Sequence, residues 1–174
     1  METKDKRPLY FISGEDFYFI AYSILLTLEM LGGAAKRIKD HRKIAYLIQF
    51  VSDSRLVDIL DRTQGLRSAN PVDRELLFSS YTNAELHKRE VYKILFSLRR
   101  KGFVSIERTD TAEILDVSLV ASALPQDFLH SEYFEKERAN AVQLKQIVQR
   151  ISMLTFETLL ERLYKDRGVS VWAV

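Results

Sequence analysis

A long apolar segment is the main feature near the start of the chain. Residues 17–31 are almost continuously apolar or aromatic, with Glu15 and Asp16 in the preceding turn and Gly32-Gly33 behind. Acidic residues favour a helix start and glycine favours a helix end, so the pattern predicts a helix over residues 14–31. Because several faces of this helix are apolar, we expect the rest of the chain or a partner protein to cover it.

Residues 40–81 show three further helical patterns. Asp40 is expected to begin a helix whose inward positions recur every three or four residues, and Ser54 is expected to cap a short helix that runs through Leu60. Residues 63–70 are polar and contain Gly65, which predicts a loop. Asn70-Pro71 then starts a helix that is expected to end near Tyr81.

The most informative stretch is residues 82–117. Thr82 and Glu85 have the spacing of a capping box, and an apolar stripe at helical period follows: Val91, Ile94, Leu95 and Leu98. Gly102 suits the end of this helix. The patterns at 103–108 and 112–117 predict two strands joined by a turn at 109–111. A helix followed by a two-stranded hairpin is the pattern of a winged helix.

The last third is again helical. We expect a short helical or turn segment over 125–134, a helix over 139–151 and a helix over 154–165 that Gly168 terminates. The apolar tail, residues 169–174, is expected to add a strand to the wing sheet or to dock in a groove. The fold class is therefore mainly α with a small β wing, a winged helix-turn-helix core flanked by N-terminal and C-terminal helices. Its expected parts are an N-terminal arm (1–13), the apolar helix (14–35), the winged helix (36–120) and a helical extension with the tail (121–174).

Composition narrows the class of protein. The 174 residues are 47% hydrophobic and 29% charged, which is ordinary for a globular chain, and they include no cysteine. Disulfides and cysteine-based metal sites are thereby excluded. The apolar segment at 17–31 is shorter than the roughly twenty residues that a bilayer span needs, so we expect a cytoplasmic protein without a membrane segment or secretory signal.

The sequence offers no catalytic motif. Its three histidines, His41, His87 and His130, are far apart and lack metal-ligand spacing. It also lacks a glycine-rich phosphate loop and a Gly-x-Ser-x-Gly turn. We therefore expect no enzyme activity, no cofactor, no metal and no small-molecule substrate.

Charge is unevenly distributed although the formal net charge is only +2. Residues 87–101 carry six Lys or Arg against one acid and residues 36–43 carry five against one, whereas the wing region is acidic. Basic residues on a helix before a wing indicate DNA contact, but the same residues also suit a merely solvated face, and an acidic wing would be repelled by phosphates. The candidate DNA-binding residues are Lys88, Arg89, Tyr92, Lys93, Arg100, Lys36, Arg37 and Arg42.

Aromatic residues form the second candidate site. The first helix allows two interpretations. It is either a core helix packed on the last two helices or a helix that forms an interface with a partner. The candidate interface residues are Phe17, Tyr18, Phe19, Tyr22 and Trp172.

The order of these elements resembles the middle component of the three-component ABC-type, SMC-like anti-phage systems of bacteria, of which Lamassu is the best-known group. The resemblance covers most of residues 10–174 and rests on the apolar N-terminal helix and on loose patterns at 42–48, 91–98, 101–104 and 128–134. It implies a non-catalytic accessory subunit that binds an SMC/Rad50-like ATPase and helps to couple DNA sensing to a separate effector subunit.

Two other functions compete with this one. A stand-alone, dimeric transcriptional regulator would read a palindromic operator with Lys88, Arg89, Tyr92 and Lys93. A purely structural interaction protein would make no nucleic-acid contact at all. Partner identity, stoichiometry and DNA sequence preference are not encoded in any motif of the chain.

Overall fold

The computed structural model describes residues 14–65 and 68–172, a mainly helical fold with one small antiparallel sheet, which confirms the coarse fold class. The expected N-terminal arm, residues 1–13, lies outside the described residues. The helices are α1 (Gly14–Leu31), α2 (Lys43–Ser52), α3 (Ser54–Arg62), α4 (Pro71–Arg100), α5 (Glu135–Ile147) and α6 (Phe156–Leu163). The strands are β1 (Arg37–Ile38), β2 (Val104–Arg108) and β3 (Leu115–Leu119). Short 3₁₀ helices lie at Ala121–Ala123, Phe128–His130, Glu132–Phe134, Ile151–Met153 and Lys165–Arg167.

Helix α2 lies at the centre of the molecule. It packs against α1, α4 and α5, and most of its side chains are buried. One hydrophobic core extends from α1 through the sheet to α6, so the N-terminal and C-terminal helices share it. Continuous burial explains why α1 and α2 are apolar on several faces instead of showing one narrow stripe.

Helix α4 corrects the expected boundary at Tyr81. The chain runs from Pro71 to Arg100 as a single helix, capped by the Asn70 side chain, which accepts a hydrogen bond from the Asp73 N–H. The predicted capping box at Thr82 is therefore wrong. No glycine or proline interrupts residues 72–100, and the buried positions Leu77, Tyr81 and Ala84 stay in phase with those further along, so nothing ends the first half.

The side chains of the supposed capping box have other environments. Glu85 accepts hydrogen bonds from the Tyr46 hydroxyl and from Lys88 Nζ. The Thr82 hydroxyl is buried and has no hydrogen-bond partner within residues 14–65 and 68–172. A capping box needs the first helical turn to be open, and here that turn lies in mid-helix.

Other predicted boundaries also move. Asp40 does not begin a helix: its φ is 68°, the left-handed region, and α2 starts at Lys43. The cap of α3 is Asp53 in place of Ser54, with the Asp53 side chain accepting from the Arg55 N–H. The helix expected over 139–151 spans Glu135–Ile147, and the last helix ends at Leu163.

The sheet has the order β1-β3-β2, with both pairings antiparallel. The second wing strand begins at Leu115 instead of 112, because Thr109 closes a longer turn through hydrogen bonds to the Ile114 carbonyl. Strand β1 was not predicted. It consists of two residues within a basic run, and only its pairing with Val117 and Ser118 reveals it.

The described part of the C-terminal tail, residues 169–172, docks on α4 and adds no strand to the sheet. Trp172 packs edge-to-face on Tyr81, with ring centroids 4.6 Å apart, and its backbone N–H donates to the Tyr81 hydroxyl at 2.9 Å. Tyr164 from the end of α6 packs on Tyr81 and Tyr46 in the same cluster, and its hydroxyl lies 3.1 Å from the Ser80 hydroxyl. Aromatic packing therefore fixes α2, α4, α6 and the tail to one another.

Candidate nucleic-acid interface

Three of the predicted basic residues share the exposed face of α4. Arg89, Lys93 and Arg100 are exposed, and Phe96 lies between the last two on the same face. Spacings of four, three and four residues place these four side chains in one row, which we call the outer stripe. The row is roughly 16 Å long at the rise of an α-helix, comparable with the width of a DNA major groove, about 12 Å.

The cations of the outer stripe have no carboxylate partner in the part of the chain that the structure describes. Within residues 14–65 and 68–172, none of Arg89, Lys93 and Arg100 forms a salt bridge. Exposed, unpaired guanidinium and ammonium groups can contact an anion without first breaking an ion pair. The outer stripe is therefore available to phosphate oxygens or carboxylates.

Two other predicted residues of α4 lie off this row. Lys88 pairs with Glu85 at 2.9 Å, and Tyr92 is half-buried against the His41 ring, with centroids 4.8 Å apart. Burial raises the pKa of Tyr92 to about 12. The structure thus gives Tyr92 a packing role and leaves its hydroxyl protonated.

Most cations of the second predicted basic patch, at residues 36–43, have partners within the fold, whereas Lys39 is exposed and forms no salt bridge with any described residue. Lys36 pairs with Glu29 at 2.7 Å. Arg42 pairs with Asp40 at 2.6 Å, and its guanidinium lies 4.4 Å from the centre of the Phe156 ring. These cations already have partners inside the protein, in contrast to those of the outer stripe.

Arg37 lies across all three strands of the sheet. It pairs with Asp116 on β3 at 2.7 Å and with Glu107 on β2 at 3.0 Å. Glu107 and Asp116 are directly opposed in the β2–β3 register, where two like charges would repel without a shared cation. Burial alone would raise the pKa of Asp116, but hydrogen bonds from Arg37 and the Asp40 N–H outweigh it and hold that pKa below its ordinary value.

The Arg37 pairing changes the electrostatics expected for the wing. Glu107 and Asp116, two of the acids counted there, share the single positive charge of Arg37, which offsets one of their two negative charges. Asp110 and Glu113 remain exposed at the turn, near Arg108 at the end of β2. The wing is therefore less acidic toward a ligand than its sequence indicates.

Two groups in the 36–43 run are buried instead of available. Lys43 is 1% exposed and donates from Nζ to the Leu154 carbonyl at 2.7 Å, and burial lowers its pKa. His41 accepts a hydrogen bond from the Leu115 N–H at Nδ1, and burial lowers its pKa as well. Both tie the start of α2 to neighbouring segments.

The aromatic interface candidates separate into two places. Tyr22 is buried and stacks on Phe134 at 3.8 Å, whereas Tyr18 and Phe19 are exposed near the start of α1. Phe17 is half-buried and packs edge-to-face on Tyr18. Trp172 is 57% exposed and lies on α4 instead of α1.

Sequence reasoning missed Phe96 and the exposed aromatics beside α1. Phe96 lies in an apolar-looking run and shows its exposure only when the helical phase of α4 is known. Phe128 and Tyr133 lie in a segment without periodicity, and contacts with Tyr22 and Phe19 bring that segment to α1. No local signal identifies them.

A cavity of about 620 Å³ lies where α3, α5 and the end of the chain meet. Arg162, Lys165 and Arg167 line it, but the Arg167 guanidinium is occupied by neutral oxygens, including the Thr63 hydroxyl and the Arg162 carbonyl. Arg167 thereby lies at the carbonyl ends of α3 and α6, where it donates to the Leu60 and Arg162 carbonyls. We therefore interpret the cavity as a gap between packed elements and not as a ligand site.

Comparison with known proteins found no matching family model, curated protein or solved structure. Among the described residues, no group of three or more His, Cys, Asp or Glu side chains is placed to hold a metal ion. A search of those same residues found no helix with the length and apolar character that crossing a bilayer requires.

Proposed function

We propose that this chain is a non-catalytic winged-helix accessory subunit that contacts the DNA backbone through the outer stripe of α4. The observation that carries the proposal is the row of exposed, unpaired cations on the helix that leads directly into the β2–β3 hairpin. Phosphate contacts fix a protein on a duplex without reading its sequence. The expected binding is therefore weak in specificity and strongly dependent on salt.

The topology supports a winged helix that contains residues 36–120 and has α1 as its first helix. In that fold a short strand between helices joins the outer side of the returning wing strand. Here β1 lies between α1 and α2 and pairs with β3, and α4 precedes the hairpin. The C-terminal half of α4 then occupies the place of the recognition helix, with the outer stripe on its exposed face.

Among the described residues, the outer stripe has three exposed cations without a salt bridge and residues 36–43 have one, Lys39, which favours the outer stripe. A phosphate that approached Arg37 or Arg42 would compete with carboxylates already 2.7 and 2.6 Å away. At Arg89 and Lys93 no such competitor lies within the described residues. Releasing counter-ions from DNA then supplies the favourable free energy.

The partner in this proposal is an SMC/Rad50-like ATPase in the bacterial cytoplasm, acting with an effector subunit in anti-phage defence. Its support is the resemblance to the middle component of three-component ABC-type systems, together with exposed aromatic residues that suit protein contact. Catalysis would reside in the other subunits. The DNA claim and the partner claim are separable.

Wild-type protein titrated with two labelled 20-base-pair duplexes tests the proposal. One duplex has a random sequence, and the other is the sequence most enriched by repeated selection from a random pool. We expect the two affinities to agree within about threefold. Both should fall steeply between 50 and 200 mM salt, with a slope that corresponds to about three phosphate contacts. A selected duplex that binds a hundredfold tighter would instead support the transcriptional regulator.

A further inference from the structure

The start of α1 carries an exposed aromatic surface on the side of Tyr22. Phe134 stacks on Tyr22 and on Phe19, and Tyr22 donates a hydrogen bond to the Phe128 carbonyl at 2.8 Å. These contacts hold the segment 128–134 against α1. The exposed members, which we call the aromatic patch, are Tyr18 (72% exposed), Phe19 (37%), Phe128 (39%) and Tyr133 (93%).

Carboxylates alternate with these rings along the chain. Asp127 precedes Phe128, while Glu132 and Glu135 flank Tyr133 and Phe134, and all three acids are exposed. None of the three forms a salt bridge within the described ranges 14–65 and 68–172. Lys136 is an exposed cation beside them, so the edge of the patch formed by Asp127, Glu132 and Glu135, which we call the rim, has an excess of negative charge.

A partly buried carboxylate reinforces that charge. Oε2 of Glu137 is buried and has no hydrogen-bond partner in the part of the chain that the structure describes. Arg138 donates from Nη1 to the Leu129 and Ser131 carbonyls, and together with Lys136 it offsets two of the four negative charges of Asp127, Glu132, Glu135 and Glu137. The patch therefore presents aromatic faces and unpaired carboxylates together.

We infer that the aromatic patch binds a basic amphipathic helix of a protein partner, with Arg or Lys side chains over the exposed rings and beside Glu132 and Glu135. Cations are attracted both to ring faces and to carboxylates, while the apolar side of such a helix covers Phe19 and Phe128. This inference rests on the accessory-subunit role proposed above and states the chemistry of the segment by which the partner binds. It also assigns protein and DNA to surfaces of opposite charge.

Charge excludes the other large ligands from this surface. DNA phosphates and anionic lipid headgroups would be repelled by the rim carboxylates. A second copy of the chain could bind here through its own outer stripe, but in the proposed function the outer stripe binds DNA. A basic segment of a different protein satisfies both the rings and the acids.

The test uses two fluorescein-labelled helical peptides of eighteen residues with leucine along one face. One carries arginine on the other face and its counterpart carries glutamate. We expect the full-length protein to bind the arginine peptide about tenfold tighter than the glutamate peptide by fluorescence anisotropy. E132K/E135K is expected to weaken arginine-peptide binding about tenfold, and Y18A/Y133A about fivefold.

Matched variants elsewhere separate local from general effects. E75K/E161K makes the same charge change at two exposed sites away from the patch, and V142A/M153A trims two exposed apolar side chains. Both should bind the arginine peptide within about twofold of wild type. Circular dichroism must show unchanged melting for each variant, with E135Q as a milder replacement where E132K/E135K is destabilised.

Three outcomes would overturn the inference: equal affinity for both peptides, unchanged arginine-peptide binding in E132K/E135K and E135Q, or a wild-type dimer that these variants dissociate. Duplex binding by the same variants keeps the two proposals apart. Retained duplex binding with no peptide preference removes only the partner inference. Peptide preference without any duplex binding removes only the DNA contact.

Discussion

Reversing two charges on the outer stripe is expected to abolish most DNA binding. In R89E/K93E, two exposed cations become carboxylates that repel phosphates, while the buried face of α4 is untouched. Affinity for a random duplex at 50 mM salt should fall by about a hundredfold, and the slope of log K against log[salt] should flatten by about two. Fluorescence anisotropy at four salt concentrations measures both quantities.

Two controls define what this result means. K145E/K165E makes the same reversal at exposed lysines on α5 and near the end of the chain, and it should weaken binding by no more than about threefold through net charge alone. E29Q/K36Q removes a paired cation together with its partner, so we expect its affinity to equal that of wild type. Equal losses in R89E/K93E and K145E/K165E would mean that DNA senses only overall charge.

The largest expected effect on stability comes from a single methyl group at Gly32. A Cβ built there would lie 2.4 Å from the Leu28 carbonyl oxygen and 2.6 Å from the Arg37 nitrogen, both backbone atoms that cannot rotate away. Hydrogen bonds from the Gly32 N–H to the Leu28 carbonyl and from the Arg37 N–H to the Gly32 carbonyl fix this turn between α1 and β1. G32A should lower the free energy of unfolding by about 3 kcal/mol, measured by urea denaturation.

G65A is the matched control for that substitution. Gly65 has a φ of 74°, and no atom of the described residues lies within 4 Å of a Cβ built there, so we expect alanine to meet only backbone strain. Its cost should be about 1 kcal/mol. Equal losses for the two variants would show that the close approach at Gly32 relaxes at little cost.

Elements defined by local chemistry could be predicted from the sequence. Asn70-Pro71 starts α4 as expected, Gly32-Gly33 follows the end of α1, and the apolar stripe at Val91, Ile94 and Leu98 is buried. The hairpin after Gly102 also forms. Helix caps, glycine residues at helix ends and helical periodicity depend only on residues close together in the chain. A single sequence therefore contains the information needed to predict them.

Features that depend on distant partners could not be predicted. Strand β1 exists because β3 pairs with it, and the counter-ions of Arg37 come from β2 and β3. The capping-box pattern at Thr82 competed with an uninterrupted helix whose buried face continues through it. Which basic residues are free, and therefore which can bind a ligand, is decided by tertiary contacts.

The residues that touch DNA can be located by two-dimensional NMR of the ¹⁵N-labelled protein during titration with a random 15-base-pair duplex at low salt. We expect amide shifts to concentrate at residues 86–101 and to spare residues 36–43 and 127–137. Shifts concentrated at 36–43, or no shifts at saturating duplex, would contradict the claim that the outer stripe of α4 is the DNA-contacting surface.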